Sequence, residues 1–277
     1  MTGPPRQGMS TGMKLGIGFF VLLMCLGFIL FGLSMAGVIG GDSSASPAPA
    51  KADSPATASG SPPPPRVITY DQKTKILAVG TDGNIYTAPA VASPMAWEQR
   101  TSSGGIIDVS QLNDGTFACV NSLGKLYTSP TIVSPVWTEM AVPSGTLFAS
   151  ISQMTDGTFI ALNNKDKFVW KTASLTSPTW AQVPGACCGN FAARQLADGS
   201  VALLGGDSFV YKTNSLTPVS WEKDAASCCG IGLAQLADGQ IAVVGGDHQI
   251  YTKKWGAQFS WNAIAGSGSI ISISTYA

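Results

Sequence analysis

The apolar positions of this chain follow two different rules. From 15 to 41 they run almost without interruption, LGIGFFVLLMCLGFILFGLSMAGVIGG, and no charge breaks them. From 67 onward they come in short bursts, ILAV, FACV, FIAL, VALL and IAVV, set among Gly, Asn, Asp and Ser. Between the two regions, 42–66 is built of Ser, Ala and Pro and presents no apolar face.

The first rule predicts a membrane helix. As a helix, 15–41 would reach roughly 40 Å, against a hydrocarbon core of roughly 30 Å. A secretory signal has an apolar region of only about 7–15 residues, so an uncleaved anchor is the better reading. Ser34-Met35-Ala36 imitates a small-residue cleavage site and keeps the cleaved alternative open. Arg6 and Lys14 precede the helix, whereas Asp42 and Asp53 follow it around Lys51. The positive-inside bias therefore leaves 1–14 cytoplasmic and sends the rest across. Gly32, Ala36 and Gly40 lie four apart on one helix face. Such small residues permit helix self-association, or merely reflect how common Gly is in membrane helices. The segment 42–66 cannot bury enough surface to offset its ordering entropy, and its prolines make it an extended, disordered spacer.

The second rule is a repeat. Trp97, Trp137, Trp180, Trp221 and Trp261 are separated by 40, 43, 41 and 40 residues. Tyr86, Tyr127, Trp170, Tyr211 and Tyr251 follow the same period, and so do the Asp-Gly pairs at Asp114, Asp156, Asp198 and Asp238. Asp-Gly between two apolar runs signals a tight hairpin. The apolar bursts do not alternate with polar residues, so both faces of those strands are buried. Four short strands in a unit of about 42 residues, stacked on both faces, make a β-propeller blade. The expected fold is all-β: a five-bladed propeller over 67–277, preceded by one transmembrane helix and the Pro-rich linker. The tail Gly268–Ala277 repeats the first strand of a unit. It is expected to close the ring in the first blade, beside or in place of Val67–Asp71, with a partial sixth blade as the alternative.

Composition narrows the function. Lys plus Arg and Asp plus Glu both number 16, so a basic nucleic-acid binder is not expected. One His, His248, and four Arg make His-based metal sites and a Ser-His-Asp triad improbable, and no cofactor motif is present. Asp82, Asp207 and Asp247 recur in one turn and would project from one rim, as turn formers or as ligand-binding residues. The five repeat Trp residues suit packing between blades, and a flat indole also suits a sugar ring. Cys187-Cys188 and Cys228-Cys229 occupy equivalent places in successive units. Cross-blade disulfides, vicinal disulfides, free thiols and a four-thiolate metal site are all open, although adjacent Cys match zinc spacing poorly. Cys119 falls in an apolar strand and reads as a small buried hydrophobe, and Cys25 lies within the apolar helix.

The unit, with its QLxDGxxxAV…YT…SPxW character, resembles BNR-type and tectonin/tachylectin-type propeller repeats over the whole of 67–277. Sialidases of the first kind carry the Asp-box S-x-D-x-G-x-x-W. Thr81-Asp82-Gly83-Asn84-Ile85-Tyr86 only echoes it, and Asp207 and Asp247 lack the following Gly. Sialidases also need several arginines, but this region has only Arg100 and Arg194, so that activity is set aside. The tachylectin resemblance implies a non-enzymatic recognition or scaffold module binding a glycan or a protein through its loops. The alternative is a structural protein tethering a virion bilayer to a protein shell. A polysaccharide hydrolase or lyase ranks third, since no pair of acids stands at catalytic spacing.

Overall fold

A computed structural model of the protein describes residues 67–277, apart from Ser103, 187–188, 225–226, 228 and 258–260. The tail, helix and linker expected over 1–66 lie outside the described residues, as do Cys187, Cys188 and Cys228. Among the described residues, no helix is long and apolar enough to cross a membrane.

The described chain is a five-bladed β-propeller with four antiparallel strands in every blade. Blade 1 contains β1 (Lys75–Gly80), β2 (Ile85–Ala88) and β3 (Glu98–Gln99). Blade 2 contains β4 (Ile106–Gln111), β5 (Phe117–Asn121), β6 (Leu126–Ser129) and β7 (Thr138–Met140). Blade 3 contains β8 (Phe148–Gln153), β9 (Phe159–Asn163), β10 (Val169–Thr172) and β11 (Ala181–Gln182). Blade 4 contains β12 (Gly189–Gln195), β13 (Val201–Gly205), β14 (Val210–Thr213) and β15 (Glu222–Lys223). Blade 5 contains β16 (Gly230–Gln235), β17 (Ile241–Gly245), β18 (Ile250–Lys253) and β19 (Asn262–Ala263). The last strand, β20 (Ile270–Tyr276), returns to pair with β1 and becomes the innermost strand of blade 1. No sixth blade begins. Val67–Asp71 is not a strand, because β20 already occupies the only free edge of β1.

The second strands are buried on both faces, as continuous apolar runs require. Five apolar clusters fill the five seams between neighbouring blades. Each seam holds one repeat Trp, half-buried: Trp97 between blades 5 and 1, Trp137 between 1 and 2, Trp180 between 2 and 3, Trp221 between 3 and 4, Trp261 between 4 and 5. Cys119 is buried in the seam of blades 1 and 2, and burial pushes its thiol pKa up.

The innermost strands are sheet edges, and the backbone groups on their open side need partners. Polar side chains of neighbouring blades supply them. Ile151 N–H donates to Asp108 at 2.9 Å and Ala193 N–H to Ser150 at 3.2 Å, while the Ser274 hydroxyl donates to the Val109 carbonyl at 2.8 Å. The Asp108 carboxylate also receives Arg194 and the Ser272 hydroxyl, each at 2.5 Å. One buried side chain of blade 2 thus ties blades 1, 3 and 4 together.

The Gln three residues before each Asp of these Asp-Gly hairpins completes the lacing. Gln153, Gln195 and Gln235 each donate to the glycine carbonyl of their own Asp-Gly hairpin. Each also accepts an N–H from the preceding blade, from Asn113, Thr155 and Ala197. Gln111 does the same with Ala277 N–H. The seam between blades 5 and 1 lacks this Gln, since β20 has Thr275 there. Instead, residues 67–73 cross this end of the ring as a strap, anchored by Ile68 N–H to the Asn113 carbonyl and by the Tyr70 hydroxyl to the Leu236 carbonyl.

Candidate functional site: a repeated Gly-Asp-Tyr-Trp cleft

The antiparallel path puts the Asp-Gly hairpins at one rim and the turns between second and third strands at the other. In three blades this second turn carries the same constellation. The carboxylate of Asp82 accepts the Asn84 N–H at 3.0 Å and the Tyr86 hydroxyl at 2.6 Å. Asp247 takes the Gln249 N–H at 3.2 Å and the Tyr251 hydroxyl at 2.6 Å. Asp207 takes the Phe209 N–H at 3.2 Å and the Tyr211 hydroxyl at 2.6 Å. A short Asp favours this local bond to the backbone two residues on. The tyrosine four residues on then locks the free carboxylate oxygen.

A glycine makes room for this arrangement. A Cβ on Gly80 would stand 2.6 Å from the Asp82 carboxylate and 2.8 Å from the Tyr86 ring. Gly205 and Gly245 meet their Asp and Tyr at similar distances. Asn121 and Asn163 replace the glycine in blades 2 and 3, and there the turn is rebuilt. Asn121 caps Leu123 and Lys125 N–H, whereas Asp166 pairs with the Trp170 indole.

Around the constellation lie open clefts. In blade 1 a cleft of about 330 Å³ is lined by Gly80, Asp82, Tyr86, Trp97 and Ser269. In blade 5 a cleft of about 440 Å³ is lined by the equivalent Gly245, Asp247, Tyr251, Trp261 and Cys229. Thr81 N–H bonds the Ser269 carbonyl as Gly246 N–H bonds that of Cys229, which fixes the equivalence. In blade 4 the Lys223 ammonium sits 2.8 Å from Asp207 and 3.6 Å from the centre of the Phe209 ring. By register, Lys223 stands where blade 1 has Gln99 and blade 5 has Ala263.

The electrostatics follow from the bonds. Tyr86 and Tyr251 hold the Asp82 and Asp247 carboxyls below the ordinary value, and the tyrosine hydroxyls are raised in turn. Burial alone would raise Asp207, but hydrogen bonds from Lys223, Tyr211 and the Phe209 N–H outweigh it and hold it at about 2. At neutral pH each turn therefore presents a carboxylate beside two aromatic rings. The Trp97 indole N–H is buried and has no hydrogen-bond partner. Such a cleft can accept hydrogen bonds from vicinal hydroxyls at its carboxylate and offer a flat apolar face. In each pair the hydrogen bond favours the ionised carboxyl and the protonated phenol.

His248 stands in the blade 5 turn, its Nδ1 donating to the Ile270 carbonyl at 3.1 Å. The structure thus brings Asp82, Asp207 and Asp247 onto one rim, in separate blades, each with its own Tyr and Trp. The tyrosine half of the constellation was visible as Gly-x-Asp-x3-Tyr at Gly80, Gly205 and Gly245.

No family model and no curated protein matches the chain. Among solved structures, one from work on "the de novo evolutionary emergence of a symmetrical protein" aligns with a TM-score of 0.52 and 14% identity, covering 72% of this chain and 97% of that one. A streptogramin B lyase aligns at 0.45 and 12% identity, with 72% of each chain covered. A protein of unknown function from Bacteroides caccae aligns at 0.47 and 14% identity, over 72% of this chain and 85% of that one. The first of these similarities speaks to the fold alone.

Proposed function

We propose that the ring is a recognition module that binds glycans through the turn-rim clefts of blades 5 and 1. The supporting observation is repetition: the same Gly, Asp, Tyr and Trp surround a cleft in consecutive blades. A single active site would need one such place, whereas two equivalent neighbours favour repeated sugar units by raising effective concentration. In this reading 15–41 holds the ring at a membrane with the N-terminus cytoplasmic, and 42–66 spaces it from the bilayer. The test is a glycan array probed with the full chain in detergent micelles. Dose-dependent binding, competed by free sugar and lost in the Tyr86→Phe/Tyr251→Phe double variant, supports the reading. A blank array from folded protein refutes it.

A second reading, a tether between a bilayer and a protein shell, draws on the exposed Leu123, Val133, Val136 and Leu147. Leu123 and Leu147 lie together on the turn rim beside blade 2, where the Gly124 carbonyl meets Phe148 N–H, whereas Val133 and Val136 lie on the opposite rim. Capture of a single abundant shell protein by the wild type, lost on Leu123→Ser/Leu147→Ser, is the result that favours it.

A further inference from the structure

The Asp-Gly rim holds a cavity of a different kind. It measures about 130 Å³, room for roughly four waters or one small polyatomic ion. The strap supplies Lys73, and the innermost strands supply Arg194, Ser110, Ser152 and Ser274. No Asp or Glu lines it.

The charges and donors in this cavity do not balance internally. Arg194, 5% exposed, is neutralised by Asp108 beneath it. Its Nη1 bonds the Ile151 and Ala193 carbonyls, but its Nε–H is buried without a partner. Lys73 is half-buried and donates one proton to the Gln111 carbonyl at 2.9 Å, leaving two. Among the described residues it forms no ion pair. The hydroxyls of Ser152 and Ser274 are already spent on the Ala193 and Val109 carbonyls. Burial, with the Arg194 charge second, lowers the Lys73 pKa to about 8, so near neutrality the cavity still holds an ammonium with no counter-charge. A buried cation without a partner is costly and is normally matched by an anion.

We propose that this cavity is a binding site for a small oxyanion group, a phosphate, sulfate or carboxylate, held by Lys73 Nζ and the Ser110 hydroxyl, with the Arg194 guanidinium adding its charge to the wall. The cation count, the donors without acceptors and the absence of acids in the wall all select that chemistry over a sugar or a metal ion. The site lies on the rim opposite the clefts and does not depend on the glycan reading. Because Lys73 belongs to the strap, an anion there ties the strap to blade 2.

The test follows thermal unfolding of the full chain in detergent by tryptophan fluorescence, since all seven Trp lie within 67–277. Inorganic phosphate and sulfate are titrated against chloride at matched ionic strength, and glycerol 3-phosphate forms a parallel arm. A saturable rise in Tm with phosphate or sulfate, absent with chloride, is expected. Lys73→Gln should weaken the response at least tenfold while unfolding no earlier than wild type in anion-free buffer, and Ser110→Ala should weaken it severalfold. A response to glycerol 3-phosphate alone would assign the site to a phosphate monoester rather than the free ion. No response from wild type to any of the three anions, or an equal response from Lys73→Gln, overturns the proposal.

Discussion

Replacing Asp108 by alanine tests the idea that the ring is held closed by polar lacing as well as by apolar seams. Asp108 is 2% exposed, and its carboxylate receives Arg194, Ser272 and the Ile151 N–H. Alanine strands the Arg194 guanidinium, itself 5% exposed, and orphans a buried N–H. Breaking a buried pair costs about 3–5 kcal/mol, and leaving the N–H unpaired costs about 1–3 more, with incomplete additivity. A loss of roughly 4–6 kcal/mol follows. For a domain of this size each kcal/mol lowers Tm by about 2–4 °C, so the expected drop is about 10–20 °C. Asp108→Asn keeps an acceptor for Ile151 and should lose less. Asp108→Leu/Arg194→Met removes both charges and should recover much of the difference. Unfolding of the full chain in detergent, followed by tryptophan fluorescence, gives all four values. A drop below about 1 kcal/mol for alanine, or a double variant no better than the single, would refute the lacing argument.

Three further outcomes follow from geometry already described. Lys223→Ala removes the ammonium that sits on the Asp207 carboxylate, so the Asp207 pKa should rise from about 2 toward the ordinary 3.8, read by carboxyl NMR titration. Gly245→Ala places a methyl 2.6 Å from Asp247 and 2.9 Å from the Tyr251 ring, so the blade 5 latch must open and sugar affinity should fall at least tenfold, read by calorimetric titration with a sugar bound by wild type. Lys73 has a folded pKa of about 8 against an ordinary 10.5, so the unfolded chain holds a proton that the ring has lost between those values. Stability should therefore rise with pH from about 8 to 10.5, with a slope approaching ~1.4 kcal/mol per pH unit, and this increment should be missing from Lys73→Gln in urea titrations made across that window.

Blade number and blade boundaries were legible because every seam needs one large aromatic, so Trp recurs once per blade and its spacing survives divergence elsewhere. The buried second strands were legible because both their faces meet a neighbouring blade. Asp108 and Arg194 were opaque for the opposite reason. Each is unique in its ring position, they lie 86 residues apart, and no period points from one to the other. Residues 67–71 read as a strand because Val67 and Ile68 look apolar. Their fate is decided by Asn113, Leu236 and Tyr276, all distant in the chain, which respectively hold the strap and occupy the edge of β1. The Gln three residues before each Asp of the Asp-Gly hairpins was visible as a repeat marker, but its two-sided bonding depends on the neighbouring hairpin and cannot be read from one unit.

The pairing of β20 with β1 sets a clock on the ring's birth. Strand β1 emerges near residue 80, and its partner is not made until residues 270–276. At about 5–20 residues per second the ribosome needs on the order of 10–40 s to cover that interval. Throughout it, blade 1 presents a bare edge of Ile76, Leu77, Ala78 and Val79, guarded only by Lys75. Ring closure therefore waits for β20 to be made, and until then the edge of β1 is open to the equivalent strand of a neighbour on the same polysome. Strand exchange at that edge would give the same β1–β20 ladder between two chains as within one.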